Sequence, residues 1–434
     1  MKKVCVVGLG YIGLPTSVMF ANHGYMVHGV DVNEIAVDML SKGQIHIEEP
    51  LLQDYLNSAI EKATFTVSTT PEEADMFIIA VPSPIAEDKT ANMDYIKAAT
   101  ASIVPFVKKG DVVVLESTVP PRTVLDIMVP ILEKSGLELG SELYVSHSPE
   151  RVIPGKVFEE LVKNDRIVGG LNTVSAEVTI EYYKSFVKGD FFITDATTAE
   201  MVKVMENTYR DVNIAFANEI AKISENVGVD AWEAIDLANH HPRVNIHKPG
   251  PGVGGHCIAV DPWFLVEKEK DLSKIIHLAR QTNDGMPEYT VEMIQRIVAH
   301  IDAPKVAVLG LAFKGNIDDI RESPSMEILT HLKMKNVNYI AYDPHVKENK
   351  VGGQTQSLDE AVQNADLIVI LTDHQIFKDY IAEEVGSTME NKIIFDTKNA
   401  ISRAAYEKAG FSVYRLGDGK ENPENIDKKV IFTR

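Results

Sequence analysis

At 434 residues the chain is about three domains long, which excludes a single small module. Its 45% apolar and 24% charged residues match globular proteins and argue against disorder, collagen and coiled coil. The formal charge of −20 is shared evenly by the first 190 residues and the remainder, so nothing offers the clustered basic surface that an extended polyanion needs.

Residues 3–8, KVCVVG, are a short β-branched run that predicts a strand; residues 11–23 predict the helix after it, and residues 26–32 a second strand. Apolar runs at 74–80 and 112–118 continue the pattern. From 197 to 227 there is neither proline nor glycine, and Met201, Val204, Met205, Thr208, Val212, Ala215 and Ala217 make an apolar stripe, so a helix of roughly 45 Å is expected. Such a helix either only links two sheet domains or also supplies a dimer surface. Shorter helices are expected at 231–239 and 289–301. The opening unit then returns, with a strand at 305–310, a helix at 325–334 and a strand at 338–343 that ends in an acid. ADLIVIL at 365–371 echoes ADMFIIA at 74–80, and 393–398 echoes 112–118. The fold class expected is α/β: two Rossmann-like, doubly wound parallel-sheet domains joined by a central helical domain with a long helix. The boundaries fall at 1–195, 196–301 and 302–434.

Two cysteines are too few for a disulfide framework, and no apolar run approaches the ~18 residues of a membrane span. Met1-Lys2-Lys3 opens like a signal peptide, but Gly8, Gly10, Gly13 and Pro15 interrupt the apolar stretch after it. A reducing, cytoplasmic setting is expected, with neither membrane nor nucleic acid as partner.

The first chemical motif is Gly8-Leu9-Gly10-Tyr11-Ile12-Gly13, after a strand and opening a helix. Glycines there permit a tight turn, close approach to a pyrophosphate and packing of helix on sheet, while the helix N-terminus attracts the phosphate charge. Asp31, at the end of the next strand, suits both ribose hydroxyls and repels a 2′-phosphate, which favours NAD over NADP. The C-terminal copy reads Gly310-Leu311-Ala312-Phe313-Lys314-Gly315. It looks less like a second dinucleotide turn than a nucleotide site with a cation. Lys314 and Arg321 suit phosphates, unless Asp318 and Asp319 simply pair with them.

The stretch from His240 to Cys257, HHPRVNIHKPGPGVGGHC, holds four glycines and three prolines, a backbone shaped for close approach rather than for regular structure. Cys257 at its end is a candidate nucleophile, whereas Cys5 inside the first strand reads as a small buried apolar residue. His240, His241, His247, His256 and Cys257 lack zinc-ligand spacing, so no metal is expected. On the long helix Glu200, Lys203, Asn207 and Arg210 share a face; lysine and asparagine four apart suit a proton and an oxyanion, with ordinary surface polarity as the alternative. Glu116-Ser117-Thr118 and Ser148-Pro149-Glu150-Arg151 stand at strand ends, where such sheets place active groups.

These motifs together resemble the UDP-glucose/GDP-mannose dehydrogenase family over essentially the full length: GLGYIG from Gly8, VPSP from Val81, ESTVPP from Glu116, SPERVIPG from Ser148, AEMVKVMENTYRD from Ala199, GVGGHC up to Cys257 and GLAFKGNIDDIRESP from Gly310. The resemblance implies an NAD-dependent four-electron oxidation of a nucleotide sugar to a uronic acid, used in polysaccharide or glycan synthesis. It also implies an N-terminal NAD domain, a central dimer-forming helical domain and a C-terminal nucleotide-sugar domain. The UDP-glucose branch commonly has a Cys-Phe-Pro-Lys-Asp loop, but here Cys257-Ile258-Ala259-Val260-Asp261 lacks that lysine, and Pro154 stands where a second glutamate is common. The loop is more similar to the branch acting on UDP-N-acetyl-D-mannosamine, with UDP-N-acetylglucosamine or another UDP-N-acetylhexosamine as the alternative substrate.

Carried over residue by residue, the resemblance assigns NAD contacts to Gly8, Gly10, Tyr11, Ile12, Gly13, Asp31, Ser83, Thr118 and Arg321; Ser83 stands where many members have threonine. It assigns the sugar nucleotide to Arg151, Val152, Lys203, Asn207, Arg210, His241, Arg243, Gly254, Phe313, Lys314 and Lys398. Cys257, Lys203, Asn207, Glu150, Asp261 and Thr118 are the implied catalytic set. Arg243 is implied to act across a homodimer interface. A protein that merely senses NAD and nucleotide sugars is the non-enzymatic alternative, and it would have no need of Cys257, Lys203, Asn207 and Glu150 together.

Overall fold

Eight short strands form the first sheet: β1 (Lys3–Val7), β2 (Met26–Val30), β3 (Phe65–Ser68), β4 (Met76–Ile79), β5 (Val112–Leu115), β6 (Tyr144–His147), β7 (Arg166–Gly170) and β8 (Phe191–Asp195). In this computed structural model, which describes residues 1–255 and 257–419, they lie in the order β3-β2-β1-β4-β5-β6-β7-β8. His256 and residues 420–434, at the end of the expected third domain, lie outside the described residues. By its contacts the chain divides into two units, Met1–Glu206 with Trp263–Leu272, and Asn207–Pro262 with Ser273–Arg434.

The first unit explains why its strands read as unbroken apolar runs. Side chains alternate across a pleated strand, so Val4 and Val6 enter one core while Cys5 and Val7 enter the other. Over the inner strands both faces are covered by helices, which leaves no solvent face to be polar, whereas the edge strand β8 is mostly exposed. Burial pushes the Cys5 thiol up to about 12, so it is inert at neutral pH. The sheet departs from the expected all-parallel form at one place: β7 runs antiparallel to β6 while pairing parallel with β8.

The second sheet repeats the plan with β9 (Lys305–Leu309), β10 (Asn338–Tyr342), β11 (Gln354–Thr355), β12 (Leu367–Ile370), β13 (Ile393–Asp396) and β14 (Ser412–Arg415), ordered β11-β10-β9-β12-β13-β14 and wholly parallel. The inner order β10-β9-β12-β13 repeats β2-β1-β4-β5, the duplication expected from the sequence. Gly8 (φ 95°) and Gly310 (φ 100°) take the same left-handed turn after their strands, a conformation that suits glycine.

The long helix runs Ala196–Val227, roughly 48 Å at 1.5 Å per residue. The expected apolar stripe is buried only in part. Val204, Thr208, Ala215 and Ala217 are buried, whereas Met201, Met205, Tyr209, Phe216, Ile223 and Val227 are each between 43% and 58% exposed. Their spacings of four and seven put them on one face, a row of large apolar side chains left to solvent. Near the helix start, Glu200 accepts the N–H groups of Arg122 (2.5 Å) and Val124 (2.8 Å), anchoring the first turns to the segment after Thr118. Burial pushes its carboxyl up to about 7.

Candidate functional site

The glycine turn of the first unit is shaped for a dinucleotide. An added Cβ at Gly8 would meet the Ala80 carbonyl oxygen at 2.6 Å, and one at Gly13 would meet the Gly8 carbonyl oxygen at 1.8 Å, whereas at Gly10 it meets nothing within 4 Å. Two glycines are therefore required by packing and the middle one leaves open space, which is the room a pyrophosphate needs. The helix after them starts at Gly13, two residues later than expected. Asp31 accepts the Leu9 N–H through Oδ2 (2.9 Å) and the Asn33 N–H through Oδ1 (2.9 Å), which fixes a half-buried carboxylate beside the turn. Ser83 Oγ donates to the Thr118 carbonyl at 2.5 Å, so these two strand-end residues meet. The residues present fit NAD.

Glu150 and Arg151 follow β6 in an irregular segment. Glu150 accepts the Arg151 N–H (2.7 Å) and pairs with the Arg166 guanidinium, while Arg151 pairs with Glu206 (2.9 Å) and donates to the Asp165 carbonyl. Lys203 is half-buried on the long helix. Arg166, which opens β7, was not among the residues the sequence pointed to.

In the second unit, Cys257 is exposed at the head of a turn in which the Val260 and Asp261 N–H groups donate to its carbonyl at 3.2 and 2.9 Å. Asn207 Nδ2 donates to Asp261 Oδ2 at 2.6 Å, with both residues buried. Two of the expected catalytic residues thus clamp the turn that carries a third. The glycine-rich approach is held as firmly: Gly250 N–H donates to Asn218 Oδ1 (2.9 Å), Asn218 donates to Asn283 (2.8 Å), and Asn283 donates to Asp211 (2.8 Å), which also pairs with Arg280 (2.5 Å). An added Cβ at Gly250 would come within 3.4 Å of Lys398 Nζ, and one at Gly254 within 2.6 Å of Phe313 Cβ. Gly254, Phe313 and Lys398 are therefore gathered with the cysteine segment. Arg210, Asn245, Ile246, His247, Lys248 and Asn399 contribute to the lining of a cavity of about 960 Å³ in this unit, large enough for a nucleotide-sized ligand. His241 and Arg243 are exposed beside it in sequence, with Arg243 N–H donating to His241 Nδ1 at 3.3 Å.

The C-terminal turn differs from its twin in its acid. Asp343 occupies the place of Asp31, accepting the Leu311 N–H at 2.7 Å, but it is 1% exposed and its Oδ2 also takes the Ala312 N–H and His374 Nε2, each at 3.0 Å. Burial would raise its pKa, yet the His374 bond and the two N–H groups outweigh it and hold the carboxyl at about 2. With its Oδ1 taken by the His345 N–H at 2.9 Å and the whole residue buried, this acid presents no exposed oxygen to a ribose, whereas the half-buried Asp31 does. Arg321 makes a two-armed pair with Asp319 (2.8 and 2.6 Å), the neutralised alternative for that charge run, and Lys314 is exposed. Among the described residues, no group of three or more His, Cys, Asp or Glu is placed to hold a metal ion, and no helix is long and apolar enough to cross a membrane.

Comparison with known proteins identifies the family. Models of the UDP-glucose/GDP-mannose dehydrogenase family match residues 2–187 (NAD binding domain), 197–285 (central domain) and 307–403 (UDP binding domain). The chain is 49% identical over 428 residues to a UDP-N-acetyl-D-mannosamine dehydrogenase of Methanococcus vannielii, covering 96% of this chain and 98% of that one. It is 43% identical over 408 residues to an NDP-N-acetyl-D-galactosaminuronic acid dehydrogenase of Ralstonia solanacearum, 92% and 96% of the two chains. Its fold matches a solved structure of the UDP-N-acetyl-mannosamine dehydrogenase of S. aureus with a TM-score of 0.89 and 46% identity, over 96% and 99% of the chains. With the glycine turn, the clamped cysteine and both sheets in place, the chain belongs to the UDP-glucose/GDP-mannose dehydrogenase family and is an NAD-binding dehydrogenase.

Proposed function

We propose that the protein oxidises UDP-N-acetyl-D-mannosamine at C6 to UDP-N-acetyl-D-mannosaminuronate, with Cys257 as the nucleophile and two NAD consumed per sugar. The near-full-length likeness to UDP-N-acetyl-D-mannosamine dehydrogenases carries this reading, and the exposed Cys257 on a turn clamped by Asn207 and Asp261 supports the covalent route. In this reading residues 1–195 hold NAD, 196–301 carry the dimer surface and the cysteine segment, and 302–434 hold the nucleotide sugar.

NAD, held by Gly8, Gly10, Tyr11, Ile12, Gly13, Asp31, Ser83, Thr118 and Arg321, supplies the hydride acceptor. Lys203, or a water it holds with Asp261, takes the C6 hydroxyl proton as the hydride departs. Cys257 Sγ then adds to the aldehyde carbon, and loss of a second hydride from that carbon leaves a thioester. Water attacks the thioester while Glu150 takes its proton, and Lys203 and Asn207 stabilise the oxyanion in both halves. Arg151, Val152, Arg210, His241, Gly254, Phe313, Lys314 and Lys398 contact the sugar nucleotide, and Arg243 reaches it across a homodimer interface. The exposed apolar row of the long helix supports a second copy of the chain as the partner. A reducing cytoplasm keeps the Cys257 thiol available.

The test is a panel of UDP-N-acetylmannosamine, UDP-N-acetylglucosamine, UDP-N-acetylgalactosamine and UDP-glucose, each followed by NADH absorbance and uronate yield. Two NADH per UDP-N-acetylmannosamine, with the highest kcat/KM of the panel, is expected. One NADH with free aldehyde would overturn the four-electron scheme. A preference for UDP-N-acetylgalactosamine would favour the reading suggested by the Ralstonia relative, and a preference for UDP-N-acetylglucosamine the other epimer. Binding without any NADH would mean a sensor. Asp31→Asn should weaken NAD binding by about 2 kcal/mol, a KM rise of roughly 10- to 100-fold, and narrow the preference for NAD over NADP, as read from kcat/KM with both cofactors.

A further inference from the structure

A buried charged cluster stands behind the acid proposed for the hydrolytic step. Glu116 follows β5, Arg166 opens β7, Tyr183 ends the helix Thr173–Tyr183 and Thr16 lies in the helix Gly13–Asn22. Arg166 is 5% exposed and Glu116 2%. Arg166 Nη1 donates to Glu116 Oε1 and to Ser148 Oγ, both at 3.3 Å, and Nη2 pairs with Glu150 Oε2. The guanidinium carbon also lies 4.2 Å from the centre of the Tyr183 ring. Glu116 Oε1 also accepts the Tyr183 hydroxyl (2.5 Å), and its other oxygen, Oε2, accepts Thr16 Oγ1 (3.3 Å).

A fold has no need of this arrangement. Apolar side chains of similar volume commonly replace a buried ion cluster without loss of stability. Burial pushes Glu116 up to about 6, against the pull of Arg166; for Arg166 burial opposes the charge, but Glu150 and Glu116 outweigh it. What the cluster does supply is geometry. Glu150 follows Pro149 in a segment without regular structure, and a carboxylate there has many rotamers to lose. Arg166 fixes Oε2 from a sheet strand while the Arg151 N–H fixes Oε1 at 2.7 Å, and Glu116 in turn fixes Arg166.

We propose that Arg166 and Glu116 are positioning residues for Glu150, aiming its carboxylate for the hydrolysis of the Cys257 thioester. The proposal deepens the proposed function and rests on the reading of Glu150 as the base. In that step the water oxygen bonds to the thioester carbon and a water proton passes to Glu150. The carbon–sulfur bond then breaks, its electron pair returns to Cys257 Sγ, and the proton neutralises the thiolate. Water is consumed, thiol and carboxylic acid are formed, and no electrons are exchanged. Orientation of this kind contributes strongly to rate because a near-attack geometry must otherwise be found by chance.

The experiment compares Glu116→Gln, Arg166→Lys and Glu150→Gln in the full-length enzyme with UDP-N-acetylmannosamine and NAD, by rapid-mixing NADH absorbance and by intact mass of the quenched protein. Arg166→Lys risks unfolding by leaving two buried carboxylates poorly paired, so the near-isosteric Glu116→Gln decides, with its thermal melt recorded alongside. For Glu116→Gln the expected result is a burst of two NADH per site at the wild-type rate, a steady state at least ~10-fold slower, and a mass gain of one acyl group on Cys257. Slow turnover without burst or adduct would mean a merely structural effect and overturn the proposal, as would wild-type turnover. Glu150→Gln should accumulate the same adduct; if it turns over normally, the reading of Glu150 as the base fails, an outcome separate from either of those.

Discussion

Cys257→Ser is expected to lower uronate formation by on the order of 10³-fold or more, while leaving NAD binding unchanged. The reason lies in the nucleophile: a thiolate is populated and reactive near neutral pH, whereas a serine hydroxyl needs a base to activate it. The turn itself should survive the change, because it is held by backbone bonds to the Cys257 carbonyl and by the Asn207–Asp261 contact, none of which uses the sulfur. Uronate measured by mass spectrometry, beside NAD affinity by calorimetry, separates the two effects. Wild-type uronate formation by the serine variant would remove Cys257 from its role.

The glycine turn yields the second large effect, and it distinguishes two reasons for keeping a glycine. Gly13→Ala places a Cβ 1.8 Å from the Gly8 carbonyl oxygen and 3.2 Å from Ala80 Cβ. The helix it opens is buried from Gly13 through Ala21 and has no room to retreat, so overpacking should cost about 3 kcal/mol and abolish NAD binding with it. Gly10→Ala meets nothing within 4 Å; it should leave the thermal midpoint within a degree or two of wild type yet weaken NAD roughly 100-fold by filling the space for the pyrophosphate. Melting curves and NAD titrations on the pair check this. Equal melting losses for both would show that Gly10, too, is a packing residue.

Much of the architecture was legible because it is periodic. The paired strands, the glycine turns and the long helix each announce themselves within a few residues, and the likeness of 74–80 to 365–371 exposed the duplication. The reversal of β7 was not legible, since a strand such as RIVGG carries no mark of its direction. Nor was the role of Arg166: its partners Glu116, Ser148, Glu150 and Tyr183 lie 50, 18, 16 and 17 residues away, and no local pattern joins them. The exposed row from Met201 to Val227 was legible only as an apolar period. An apolar period on a helix reports that a face avoids water, but it does not distinguish this chain's own core from the surface of another chain. Arg321 pairs with the acid two positions earlier, a short-range contact that the charge run already offered.

The sealing of Asp343 by His374 has a consequence for timing. Of two sister turns, one keeps its acid open and the other has closed it with its own histidine, so duplication did not give the chain two seats for NAD. In the proposed reaction, then, the two oxidations take place in succession, and the half-oxidised sugar must wait through one exchange of cofactor. A free aldehyde would diffuse away in that interval; a thiohemiacetal on Cys257 sets the waiting time by the chemistry of a bond rather than by the strength of an embrace.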